Sequence, residues 1–399
     1  MKKIKCLFLL LILIFPLQIK ALEKPILYSE KYLIYDLTED KVLLEEKSQE
    51  KTNIASLTKI MTTITAIEKI KNLEEQVTIT NKMLDGIVWD ASVAGLKVGD
   101  KVSYRDLLYA SMLPSGADAT NILAYTLSGN PDNFVKEMNQ KAKEIGMNST
   151  NFINVTGLDT NNHYSTANDI SKLLKYALTN NLFKTIYTSE EYILTNGLKV
   201  KSTLKKYNQL LNIDTSRILG SKTGYTGKAG LCLSYLIESS NHEFIVITLN
   251  ANPDGKNKHL KDAQNIINYL DKNYKNQELI KEGTIIKKIP VKLSTISNYK
   301  ISSPKTITKF LPNDYEKSKF KIKYQGLTEL NFTNKKKSKI GTITYYYDKE
   351  KIYSTKVILE ETIKVDFLKI LKKYFLQATL IIVILLITIK IFINKVKNK

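Results

Sequence analysis

Ser56-Leu57-Thr58-Lys59 is the stretch around which the rest of this chain is organised. A polar segment, Gln49 to Asn53, precedes it, and an apolar pattern at helical spacing follows: Ile60, Met61, Ile64 and Ile67. This predicts a helix that starts near Ser56 and buries what comes after. Residues i and i+3 share a helix face, so the Lys59 amine can reach Ser56 Oγ. An amine kept neutral by burial is a suitable general base for a serine nucleophile. A serine capping a helix with a lysine one turn later is also an ordinary structural arrangement, so the tetrapeptide does not decide the matter alone.

Two later stretches decide it. Ser115-Gly116-Ala117 follows a helical run, and Lys222-Thr223-Gly224 enters a predicted strand. The ordered trio of Ser-x-x-Lys, a Ser-x-Asn-like triplet and Lys-Thr-Gly is the signature of penicillin-binding proteins and serine β-lactamases.

At 399 residues, with 43% apolar and 25% charged residues, the chain is of globular composition and long enough for two domains. Its net charge of +21 suits an anionic neighbour such as a membrane surface or a wall polymer, although dispersed lysines in an Ile-, Asn- and Lys-rich chain give the same total. The export signal described below disfavours nucleic acid as a partner. Of the two cysteines, Cys6 lies in a segment expected to be removed, which leaves Cys232 as a buried thiol without an internal disulfide. His163, His242 and His259 have no ligand spacing, so neither a metal nor another cofactor is expected, and side chains must do the chemistry.

Residues 1–21 read as a signal peptide, with Lys2, Lys3 and Lys5 ahead of an apolar core and Ala21 as the small residue at its end. Lys31 to Leu37 and Lys41 to Glu45 flank the turn Thr38-Glu39-Asp40 as a hairpin, helical patterns run to about Thr188, and strand patterns return at Gly220 to Ile237 and His242 to Ala251. A helix carrying Leu260, Ala263, Ile266, Ile267 and Leu270 closes this unit. Strands at both ends with helices between them predict an α/β domain over residues 22–275: one sheet built from its two termini, a helical insertion beside it, and the Ser56 helix where they meet. Residues 276–360 read as a smaller β-rich domain with no chemical constellation. An amphipathic juxtamembrane segment follows at 361–373, then a transmembrane helix at 374–393 and a lysine-bearing cytoplasmic tail at 394–399. A single-pass protein of a bacterial cell membrane with its domains outside the cytoplasm is the expected arrangement.

The match extends beyond the trio. Ala55 to Thr62, Leu96-Lys97-Val98-Gly99-Asp100, Leu107-Leu108-Tyr109-Ala110, Leu113-Pro114-Ser115-Gly116, Gly157-Leu158-Asp159, Ser165-Thr166-Ala167, Gly220 to Thr226 and Ala229-Gly230 together resemble the D-alanyl-D-alanine carboxypeptidases. These are the low-molecular-mass penicillin-binding proteins of serine peptidase family S11. The resemblance implies a β-lactamase/transpeptidase-like fold. It also implies that Ser56 attacks the penultimate D-alanine of a peptidoglycan stem peptide ending in D-Ala-D-Ala, that Lys59 is the base and that Ser115 relays a proton to the leaving amine. Lys222 and Thr223 would hold the terminal carboxylate, the Ser56 and Tyr225 amides would form the oxyanion hole, and Gly224 would leave room for substrate. β-Lactams would acylate Ser56. Ala117 departs from the pattern, which expects Asn there, and Asp118 or Asn121 are the candidates to compensate.

Three alternatives remain open at this point. A β-lactamase-like hydrolase would need a glutamate to activate water, and Glu191 lacks the asparagine expected at Leu194. A Ser-His-Asp hydrolase would have to use His163 with Asp159. A catalytically impaired wall-binding homologue is suggested by Ala117.

Overall fold

The computed structural model describes residues 23–204, 214–254 and 257–397; the signal-peptide segment, 1–21, lies outside them. The chain forms two compact units that divide between Asn273 and Tyr274.

In the first unit β1 (Ser29–Asp36) and β2 (Lys41–Glu46) make the expected hairpin. A 3-10 turn, Ala55–Leu57, leads into α1 (Thr58–Lys69). A small hairpin of β3 (Gln76–Thr78) and β4 (Lys101–Ser103) encloses the short α2 (Asn81–Leu84). Then come α3 (Tyr104–Met112), α4 (Ala117–Ser128), α5 (Pro131–Ile145), α6 (Ala167–Leu178) and α7 (Asn181–Thr188). A second small hairpin, β5 (Glu191–Ile193) and β6 (Lys199–Lys201), precedes β7 (Ile218–Thr226), β8 (Gly230–Ser239), β9 (His242–Ala251) and α8 (Lys258–Asn273).

The principal sheet has the order β2-β1-β9-β8-β7 and is antiparallel throughout. The unit's first hairpin thus joins its last three strands, as strand patterns at both ends of the unit predict. The run Gly220 to Ile237 reads in the sequence as one strand, yet the structure folds it into β7 and β8 around a tight turn. Gly230, at φ +65°, packs so closely on the Ala251 carbonyl that a Cβ would sit 2.8 Å from it.

Alternation divides β9 between two faces. Ile245, Ile247 and Leu249 join the large core that holds α1 and the helical insertion, which leaves Phe244 and Val246 for the face where α8 packs. Helix α1 is buried from Thr58 to Ala66 on every side, rather than along one stripe. Its threonines tolerate this because they are bonded: Thr62 Oγ1 donates to the Val155 carbonyl at 2.8 Å and Thr63 Oγ1 pairs with Ser111 Oγ at 2.9 Å.

The second unit is β-rich, as expected. β10 (Tyr274–Ile280) pairs with β13 (Ile307–Pro312), and β11 (Ile285–Lys292) with β12 (Asn298–Ser302) and, in parallel, β15 (Leu330–Asn331). β14 (Phe320–Gly326), β16 (Lys339–Tyr347) and β17 (Glu350–Ile358) form a third sheet. Ile289, Ile301, Leu330, Ile343 and Tyr345 fill the core. Residues 364–366 then bridge back to this unit: Thr295 N donates to the Lys364 carbonyl and Asp366 N to the Leu293 carbonyl. Only at Phe367 does α9 (Phe367–Lys397) begin, and it continues unbroken through the apolar stretch. The expected interfacial segment, 361–373, thus contributes its residues from Phe367 onward to the same helix as the apolar stretch.

Candidate active site

Ser56 sits in the 3-10 turn, and Lys59 in the first turn of α1, as the three-residue spacing requires. Lys59 Nζ lies 3.0 Å from Ser56 Oγ and donates to the Thr156 carbonyl at 2.7 Å. Lys59 as a whole is 2% exposed. Burial pushes its pKa down to about 7, against a smaller opposing pull from the Asp118 carboxylate.

The turn bearing Ser56 is held under strain. Ala55 has φ +47°, unusual for a residue with a side chain. Gly157, at φ +85°, lies so close that a Cβ there would come within 1.9 Å of the Ala55 carbonyl oxygen. From the other side β7 crosses the turn at Gly224, where a Cβ would approach Ser56 N and Ala55 Cβ at 3.0 Å each. The missing side chain at Gly224 therefore gives room to the nucleophile's own backbone.

Ser115 connects α3 to α4 at φ +64°, and its neighbour Gly116 is wedged against the Ala110 carbonyl. A non-glycine residue in this conformation is held by its surroundings, a common condition at reactive sites. Fully buried Lys222 on β7 donates to Ser115 Oγ at 2.9 Å and to the Thr223 carbonyl at 2.8 Å. Burial, reinforced by Lys59, lowers its pKa well below the usual lysine value. Thr223 Oγ1 lies 2.6 Å from Thr203 Oγ1.

One cleft brings Ser56, Lys59, Ser115, Thr223, Gly224 and Tyr225 together. Lys222 reaches it through Ser115. Two contributors went unnoticed in the sequence. Thr203 carries no motif, and Thr156 acts through its carbonyl, a group every residue possesses.

Ala117 also lines the cleft, and neither proposed substitute takes the place of an asparagine amide there. The Asn121 amide donates to the Asp85 carbonyl at 3.1 Å. The Asp118 carboxylate accepts from the amides of Ala94, Gly95 and Leu96 at 2.9 to 3.0 Å, which fastens a neighbouring loop.

The alternative bases lie elsewhere. His163 accepts from Ile153 N at Nδ1 and bonds Thr58 Oγ1 through Nε2 at 2.9 Å; buried, its pKa is pushed down to about 4. Thr58 Oγ1 in turn donates to the Ala55 carbonyl at 2.9 Å, so this histidine braces the turn behind the nucleophile. Asp159 accepts from Thr226 Oγ1 and Lys228 N. Glu191 pairs with Lys199 at 2.9 Å outside the cleft lining. Cys232 is fully buried, its thiol pushed up to about 12 by that burial. A serine beside a buried amine whose pKa is pushed down to about 7, in a cleft shared with Ser115 and Thr223, is equipped to take an acyl group from a substrate.

Comparisons with known proteins agree. A profile described as D-alanyl-D-alanine carboxypeptidase, peptidase S11, matches residues 18–253, and one described as the penicillin-binding protein 5 C-terminal domain matches residues 274–365. The D-alanyl-D-alanine carboxypeptidase DacF of Bacillus subtilis (strain 168) is 28% identical over 343 residues, which is 84% of this chain and 85% of that protein. The solved DD-transpeptidase of Streptomyces K15 superposes with a TM-score of 0.56 at 28% identity, covering 62% of this chain and 98% of its own. Penicillin-binding protein 5 of Haemophilus influenzae shares the fold at a TM-score of 0.61 and 23% identity, covering 86% and 99%. With the S11 profile extending over more than half of its length, the chain belongs to the D-alanyl-D-alanine carboxypeptidase family of serine peptidases.

Proposed function

We propose that the protein removes the terminal D-alanine from peptidoglycan stem peptides through an acyl-enzyme on Ser56. Ser56 Oγ attacks the penultimate D-alanine carbonyl while Lys59 takes its proton. The peptide C–N bond breaks, and Ser115 passes a proton to the departing amine of the terminal D-alanine. Water then cleaves the ester and restores Ser56. The Thr223 hydroxyl and, through Ser115, Lys222 hold the terminal carboxylate, and the backbone amides of Ser56 and Tyr225 stabilise the oxyanion. A β-lactam presents the same carbonyl and carboxylate and leaves Ser56 acylated.

The observation that carries this reading is the Lys59 amine, buried, 3.0 Å from Ser56 Oγ and titrating near neutrality. Helix α9 supports a membrane anchor: within Phe367–Asn394 an 18-residue apolar stretch has a mean hydropathy of 2.6, and none of it is buried. With the C-terminal lysines on the cytoplasmic side, a single pass would leave both units facing the wall.

The test is D-alanine release from a D-Ala-D-Ala-terminated pentapeptide by the full chain in detergent, beside Ser56→Ala. Release by the wild type alone supports the reading. Covalent penicillin labelling without release would instead favour a wall-binding homologue of impaired turnover.

A further inference from the structure

Two clefts meet at Ala117. One is the Ser56 cleft; the other is lined by Ile87, Val88, Asn121, Asp132, Asp159 and Thr160, and both share Ala117, Thr156 and Leu158. The wall between them is the loop from Asp85 to Ser92. Its residues 86–88 face the second cleft and its residues 90–92 face the first. On the crest stands Trp89, the only tryptophan in the chain, 96% exposed.

This exposure is not that of a loose loop. Ala117 N donates to the Ser92 carbonyl at 2.8 Å, Ala91 N to the Val88 carbonyl at 3.1 Å, and the Asn121 amide to the Asp85 carbonyl. Asp118 secures the next three residues, Ala94 to Leu96. The fold thus presents in water, on a tethered ridge, a side chain that normally contributes to cores and interfaces.

We infer that this ridge and the second cleft form a saccharide-binding site, which receives a sugar ring of the glycan strand carrying the stem peptide. The inference rests on reading the first cleft as the stem-peptide site. A pyranose has an apolar C–H face that stacks on an indole and a rim of hydroxyls that bonds to carboxylates. Asp132, Asp159 and Thr160 supply polar groups beside the crest. Four peptide residues between the scissile carbonyl and the sugar reach about 13 Å when extended, which brings a neighbouring ridge within range. Insertion into a lipid surface is the competing use of an exposed tryptophan, but Asp85 and Asp90 flank this one and would be driven against anionic headgroups.

Because Trp89 is the sole tryptophan, its emission reports the site directly. The full chain in detergent is titrated with the peptide-free disaccharide of N-acetylglucosamine and N-acetylmuramic acid. A saturable change in emission is expected. In parallel, D-alanine release is compared on a free pentapeptide and on the same pentapeptide attached to its disaccharide. Trp89→Ala should leave the free peptide nearly unaffected and lower kcat/KM on the glycan-linked one by about fivefold, mostly through KM, while Trp89→Phe keeps most of it. Unchanged emission, or equal behaviour of the two substrates in Trp89→Ala, overturns the site. If the wild type releases D-alanine from neither substrate, the carboxypeptidase reading fails, and the emission titration still decides the sugar site.

Discussion

The side-chain amine of Lys59 donates to the backbone carbonyl of Thr156 at 2.7 Å. In the proposed mechanism this bond occupies one N–H and leaves the lone pair of the neutral amine free to take the Ser56 proton. Acylation by a fluorescent penicillin should therefore increase through pH about 7 and level off above it, as Lys59 loses its charge. The same depression has a stability consequence. Between about 7 and 10.5 the unfolded chain holds the extra proton, so stability rises with pH across that window. Lys59→Met should abolish labelling and raise the melting temperature at pH 7, by ~2–4 °C per kcal/mol gained.

Asp118 acts on the Lys59 amine while holding the loop. Its charge raises the Lys59 pKa, so Asp118→Asn should move the midpoint of the pH–acylation curve to lower pH. The amides of Ala94, Gly95 and Leu96 would lose a charged acceptor, at a cost of about 1–3 kcal/mol measured by urea unfolding.

Ala117→Asn would place an amide in the cleft beside Ser115. We expect kcat/KM on the pentapeptide to rise about five- to tenfold, the value of one net hydrogen bond. No gain would mean that the site works without that contact.

Gly224→Ala and Gly157→Ala both press on the nucleophile's turn, with different outcomes. At Gly157 a methyl would overlap the Ala55 carbonyl and require a left-handed alanine, so this variant should lose both fold stability and activity. At Gly224 the 3.0 Å approaches can relax by small shifts. That variant should melt close to the wild type yet label with penicillin at least about tenfold more slowly, because Ser56 N is displaced from the oxyanion.

Acid stability should fail through buried histidines. His163 and His259 are held neutral, with pKa values pushed down to about 4 from 6.5. Between those values the unfolded chain binds more protons, so stability is complete above pH 6.5 and declines as the pH falls toward about 4. Urea midpoints across that range check this, and His163→Gln should flatten part of the slope.

The principal features were legible because they are written in side chains and periodicities. The Ser56–Lys59 spacing predicts the 3.0 Å approach of the two side chains, the strand patterns at both ends of the first unit predict its sheet, and the loss of helical period near Asn276 lies beside the division of the units at Asn273 and Tyr274. What escaped was written in the backbone. The Thr156 carbonyl and the left-handed Ala55 and Ser115 depend on contacts between distant segments, and no local pattern encodes them, whereas the turn that breaks Gly220 to Ile237 carries a local signal in Gly227 and Gly230. The role of Gly224 was visible as a glycine, but its neighbour was not: strand and turn meet only in three dimensions.

The strained turn at Ala55 is pinned by Gly157 from the insertion and by Gly224 from the sheet, two segments distant in sequence that meet only in the folded unit. A chain that has formed its helices but not docked them on the sheet carries Ser56 and Lys59 and remains chemically silent. Covalent penicillin uptake by Ser56 should then count only molecules in which the insertion and the sheet have docked.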